Sequence, residues 1–104
     1  LAQRLECAFV PLRKPGKLPW RCLRRDYQLE YGSASLEIHE DAVRPGQQVL
    51  ICDDVLATGG TAAAAAALVR DLKADPVAAC FVIELTFLGG AARLDVPVQA
   101  VLRY

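Results

Sequence analysis

No methionine occurs anywhere in this 104-residue chain, and histidine and tryptophan occur once each. Without an initiator methionine, and with an opening LAQRLECAFV that starts in mid-pattern, the sequence reads as truncated or processed. An excess of charge is also lacking, since 12 basic residues balance 12 acidic ones. That argues against bulk electrostatic capture of nucleic acid or of an anionic membrane. Hydrophobic residues make up 54% of the chain, yet no apolar run reaches the roughly 18 residues of a transmembrane helix. Arg4 and Glu6 interrupt any signal-peptide centre. Cys7, Cys22, Cys52 and Cys80 lie far apart and form no C-x-x-C. With one histidine for company they make a poor zinc set and read as reduced thiols of a cytoplasmic protein.

What is present is an α/β order. Residues 7–12, CAFVPL, are strand-like, and residues 13–25 read as a Pro-, Gly- and charge-rich loop holding Arg13, Lys14, Lys17, Arg21, Arg24 and Arg25 without an acid. YQLEYG (27–32) and SLEIHE (35–40) alternate apolar and polar residues around Gly32 and Ser33, the pattern of a hairpin with one wet face. In QVLICDD (48–54) the continuous apolar run predicts a central strand covered on both faces. A helix is predicted from Thr61 to about Lys73, ended by Asp75 and Pro76. Two further strands follow at 77–85 and 98–104, with a short helical turn in GGAARLD (89–95). The order predicts one domain over 1–104: a parallel sheet with an inserted hairpin.

The stretch that carries chemistry is VLICDDVLATGGTAAA (49–64). In a parallel sheet, ligands collect where strands hand over to loops at their carboxyl ends, and Asp53 and Asp54 occupy that place. Ala57, Thr58, Gly59, Gly60 and Thr61 then enter a helix whose first N–H groups have no internal partner. Glycines let those groups converge and the threonines add hydroxyls, which makes a cradle for an anion. No lysine completes a Walker loop, and no Gly-x-Gly-x-x-Gly is present. A monophosphate cradle beside two acceptors suits a sugar 5-phosphate whose vicinal hydroxyls face the carboxylates.

This string resembles the phosphoribosyl-pyrophosphate (PRPP) motif of type I phosphoribosyltransferases. RKPGKLP (13–19), LEYG (29–32), LEIHEDAVRPGQQVLI (36–51) and IELTFL (83–88) narrow the resemblance to the adenine phosphoribosyltransferases. The resemblance implies a type I phosphoribosyltransferase-like fold, with a flexible loop and hairpin over about 14–40 and the PRPP motif at 49–62. It implies purine salvage: adenine and PRPP give AMP and pyrophosphate, with Mg2+ carried by PRPP rather than by direct protein ligands. By the same resemblance Asp53 and Asp54 hold the ribose hydroxyls, and residues 57–61 hold the 5-phosphate. Lys17 and Arg13 reach the pyrophosphate, Glu30 is the acid/base at adenine, and Leu85, Glu84 and Tyr31 flank the base. A cytoplasmic homodimer is the implied setting.

Plain structural roles stand beside these. Lys17 can be a solvated loop cation, Glu30 the exposed face of a strand, and Tyr31 and Trp20 packing residues, while His39 reads as structural. The family's N-terminal hood, first core strand and a further basic loop have no counterpart here, so the base pocket is expected to lack a wall and the sheet a strand. Asp75-Pro76 and Gly89-Gly90 depart from the family pattern and are expected to lie away from the site. Two other classes share the sugar-phosphate chemistry: a PRPP-sensing regulator, which needs a DNA-binding module not visible here, and a non-catalytic binding remnant.

Overall fold

The protein is described from a computed structural model, which covers residues 9–12, 22–29 and 32–104. Two antiparallel strands, β1 (Cys22–Leu29) and β2 (Gly32–His39), form a hairpin. Three parallel strands, β3 (Gln48–Leu56), β4 (Asp75–Glu84) and β5 (Val98–Arg103), form a sheet in the order β3-β4-β5. The helix α1 (Gly60–Asp71) crosses from β3 to β4. Two short 3-10 turns, Thr86–Leu88 and Gly90–Arg93, lead from β4 to β5.

The alanine run of α1 follows from what lies on either side of the helix. Ala64, Ala65 and Leu68 pack against Leu36 and Ile38 of the hairpin. Ala62 packs against Leu56, Ala79 and Phe81 of the sheet. A helix buried between two layers needs small side chains on more than one face, and alanine also costs least in helix propensity. Leu68 and Val69 are almost wholly buried there. Leu68→Ala is therefore expected to lower stability by about 3 kcal/mol, read from the urea unfolding midpoint. A loss below about 1 kcal/mol would mean that the two layers do not close on the helix.

Several boundaries differ from the sequence expectation. The basic residues Arg24 and Arg25 belong to β1 rather than to a loop. Their strand has a wet face, where Arg24, Asp26 and Ser35 hydrogen-bond to one another, so charge does not break it. The inner face carries Leu23 and Tyr27 against the helix, with Arg25 reaching Asp71 at 3.5 Å. Gly32 and Ser33 belong to β2, paired with Leu29 and Gln28 of β1, so they do not form the turn. Residues 9–12 form no strand.

Asp75 and Pro76 do not end the helix. It closes earlier by a Schellman-type turn, in which Lys73 takes a left-handed φ of 68°. There the Lys73 and Ala74 N–H groups donate to the Arg70 and Val69 carbonyls at 2.8 and 3.1 Å. Pro76 lies in β4 beside the irregularity at Val49/Leu50, where a missing N–H is tolerated.

β3 is an edge strand among the described residues, not a central one; β4 is central. α1 covers one face of the sheet, and Leu50, Val82 and Val101 on the other are exposed. An apolar run specifies a strand that suits burial, but the position in the sheet is set by which neighbours pair with it. No helix among the described residues is long and apolar enough to cross a membrane.

Candidate functional site

Three pieces of chain meet at the carboxyl end of β3. Asp53 and Asp54 fall within the strand, in the stretch where Asp53 is in register with Phe81 of β4. The chain then turns through Ala57 to Gly59. Gly59 takes a left-handed φ of 89°, which side chains with a Cβ rarely adopt. α1 begins at Gly60 without a side-chain cap. The first helical hydrogen bond runs from the Ala63 N–H to the Gly59 carbonyl at 2.9 Å. The N–H groups of Gly60, Thr61 and Ala62 therefore have no intrahelical acceptor and point out of the helix start.

Those groups border a cleft of about 290 Å³ lined by Asp53, residues 55–62, Phe81 and Leu88. The cleft thus brings a carboxylate and a helix N-terminus together, with no acidic side chain in the first turn of α1 to repel an anion. Thr61 is exposed at its rim, with its hydroxyl 3.1 Å from the Tyr27 phenol.

The two aspartates are not equivalent. Successive strand residues face opposite ways, and Asp53 lines the cleft whereas Asp54 does not. The Asp54 N–H donates to Asp53 Oδ1, and the Val55 N–H donates to Asp54 Oδ1, each at 2.8 Å. Burial is the main reason that Asp53 is harder to ionise than an ordinary aspartate, and the neighbouring Asp54 carboxylate adds to it.

The remaining sequence-predicted residues divide into two groups. Glu84 is buried and its carboxylate accepts from Arg103 Nε at 3.0 Å, so it ties β4 to β5. Leu85 follows it, half-buried, its N–H donating to the Leu56 carbonyl at 2.9 Å. Neither borders the cleft. Arg13, Lys17, Glu30 and Tyr31 lie outside the described residues. His39 sits across the hairpin from Cys22, its Nδ1 3.8 Å from the thiol, a structural position.

One expectation is overturned. Gly89-Gly90 does not lie away from the site, because Gly90 is buried directly against the turn from Ala57 to Gly59. A Cβ at Gly90 would fall 2.3 Å from the Ala57 carbonyl oxygen and 3.0 Å from the Gly59 nitrogen. A Cβ at Gly59 would in turn fall 2.5 Å from the Gly90 carbonyl oxygen. Arg93 Nη1 lies 3.5 Å from the Thr58 carbonyl, and Arg70 bonds Asp95 at 2.6 Å, which also holds the Asp95 carboxyl below the ordinary range. The only sequence signal was a second Gly-Gly after a strand, and it could equally have marked a plain turn. Tyr27 carried no signal beyond its place in an alternating strand.

A parallel strand ending in carboxylates, a glycine turn and an open helix start share one cleft at the carboxyl end of the sheet in this α/β domain. The chain belongs to the phosphoribosyl transferase domain family, whose sequence profile matches residues 1–98, and its architecture is that of the type I fold. Within this family it is similar to the adenine phosphoribosyltransferases. The one from Gluconacetobacter diazotrophicus is 57% identical over 104 residues, which is 100% of this chain and 59% of that relative. The crystal structure of the Thermoanaerobacter pseudethanolicus protein matches with a TM-score of 0.96 at 51% identity, covering 99% of this chain and 60% of that one. The Saccharomyces cerevisiae protein, solved with adenine and an imino-altritol bisphosphate, matches with a TM-score of 0.90 at 48% identity, over 93% of this chain and 55% of its own. The chain therefore spans about 60% of the length of the curated relatives it matches.

Proposed function

We propose that the polypeptide carrying this chain transfers the 5-phosphoribosyl group of PRPP to adenine, forming AMP and pyrophosphate in purine salvage. The observation that supports it most is the shared cleft, in which Asp53 faces the same space as the N–H groups at the start of α1. A sugar 5-phosphate presents an anion to one and hydroxyls to the other.

In this reaction the bond from the anomeric carbon to the pyrophosphate oxygen breaks and a bond to an imidazole nitrogen of adenine forms. Positive charge grows on the ribose ring and negative charge on the leaving group. Asp53, which faces the cleft, accepts from the ribose hydroxyls, and the paired charge of Asp53 and Asp54 tolerates the cationic ring. Residues 57–61 hold the 5-phosphate, and Lys17 and Arg13 stabilise the departing pyrophosphate. Glu30 takes the proton that adenine loses, with Leu85 and Tyr31 flanking the base and Glu84, bonded to Arg103, close by. Mg2+, held through PRPP oxygens rather than by direct protein ligands, would supply positive charge beside the leaving group. The reading of the cysteines as thiols supports a cytoplasmic setting, and the family resemblance supports a homodimer.

The test is AMP formation from adenine, PRPP and Mg2+, measured for the chain as it stands and for the chain fused behind the N-terminal segment of the Gluconacetobacter relative. AMP from the fusion supports the transferase. A folded fusion that binds PRPP but makes no AMP replaces it with a binding-only role.

Asp53 adds a prediction of opposite signs. Its raised pKa means that the folded chain disfavours the carboxylate, so its contribution to stability is lost as pH rises through the folded-state pKa. Asp53→Asn, neutral at every pH, is expected to raise the thermal midpoint at neutral pH, with the gain disappearing in acid. The same change should weaken ribose 5-phosphate binding by about tenfold, the scale of one hydrogen bond to a charged acceptor. Calorimetry reads both quantities, and unchanged affinity would remove Asp53 from the diol site.

A further inference from the structure

Thr61 is the residue where the cradle meets a different layer of the fold. It lies in the first turn of α1 and borders the cleft, and its hydroxyl donates to the Tyr27 phenol oxygen at 3.1 Å. Tyr27 belongs to β1, in the hairpin sheet, which is separate from the sheet that carries Asp53. Its ring is half-buried on the inner hairpin face and packs with Leu23 against the cluster around Leu36, Ile38 and Leu68. Arg25, two residues earlier on the same face, reaches Asp71 at the other end of α1. The phenol is thus held from outside the cradle by packing that does not depend on a ligand.

A hydroxyl carries one proton to donate and two lone pairs to accept with. While Thr61 donates to Tyr27, its proton is unavailable to an anion in the cleft. If the Thr61 O–H turns to a phosphate oxygen, its own oxygen can accept from the Tyr27 O–H. The result is a chain from phenol to hydroxyl to anion, in which each bond polarises the next. No protein atom has to move far, because both donors already lie in contact.

We propose that Tyr27 is a positioning residue of the phosphate cradle, which fixes the Thr61 rotamer and donates to the Thr61 hydroxyl once a monophosphate is bound. This rests on the sugar-phosphate reading of the cleft. Tyr27 need not touch the phosphate; it acts through Thr61.

The experiment is a double-mutant cycle on the full chain, with ribose 5-phosphate as the titrant and calorimetric dissociation constants as the readout. Tyr27→Phe keeps the ring and its packing, so its thermal midpoint is expected to stay close to that of the unsubstituted chain. Its affinity should fall about threefold to tenfold. Thr61→Val should weaken binding by at least as much, and the double variant should bind as the Thr61→Val variant does, because the phenol has then lost the group through which it acts. A merely structural tyrosine predicts losses that multiply. Binding in the unsubstituted chain with no loss in Tyr27→Phe overturns the role of Tyr27 alone, and so do multiplying losses. No binding in the unsubstituted chain overturns the sugar-phosphate reading and this role with it. A second measurement does not depend on the phenylalanine variant: ribose 5-phosphate should alter the near-ultraviolet tyrosine spectrum of the chain, and Thr61→Val should abolish that change. A change that persists in Thr61→Val would overturn the coupling.

Discussion

Gly90→Ala is expected to weaken ribose 5-phosphate binding by about 100-fold, the upper end of what overpacking a filled site costs. The added methyl would sit 2.3 Å from the Ala57 carbonyl oxygen. The neighbour on that side is backbone, with no flexible side-chain end to swing aside. The loop from Ala57 to Gly59 must therefore shift, and its N–H groups with it. Gly59 faces Gly90 across the same contact, so neither partner has slack. Gly89→Ala is the matched control. Gly89 has a φ of 66° but nothing within reach of an added Cβ. It should cost stability, about 1 kcal/mol of backbone strain, and leave affinity largely intact. Titration calorimetry and thermal melts on the two variants separate the effects. If Gly90→Ala binds ribose 5-phosphate as tightly as the unsubstituted chain, the segment from Gly90 to Arg93 does not set the loop.

Glu30→Gln is expected to lower kcat of the AMP-forming fusion by about 100-fold or more, the range of general base catalysis, while the KM for PRPP changes little. Glutamine keeps the size and the hydrogen-bonding oxygen of the side chain but cannot accept the proton from adenine. A role in binding alone would move KM instead, and equal turnover would remove Glu30 from the chemistry. Loss of the carboxylate should also remove the acid limb of the pH-kcat profile, because no group then has to be deprotonated before the base reacts.

Much of the fold was legible because its patterns are local. Alternation around Leu36 and Ile38 marked a hairpin with one dry face, and both residues are buried in it. The helix showed in an alanine run that few other structures would use. Boundaries were less legible. Arg24 and Arg25 looked like loop because charge is common in loops, yet an exposed strand face accommodates charge equally well. Pro76 looked like a helix stop, although Lys73 had already ended the helix in a left-handed turn.

By itself the sequence determined the elements and half of the site. Asp53, the Thr-Gly-Gly-Thr turn and the helix start are contiguous in the chain, so local geometry alone makes them neighbours. Only the tertiary structure decided what stands behind them. Gly90 and Arg93 come from the far side of β4, and Tyr27 comes from another sheet. Their contacts with residues 57–61 depend on how α1 is packed between two layers, and no spacing along the chain encodes that. The tertiary structure also divided the two aspartates. Side by side in sequence they look alike, but the alternation of a strand turns Asp53 to the cleft and Asp54 away from it.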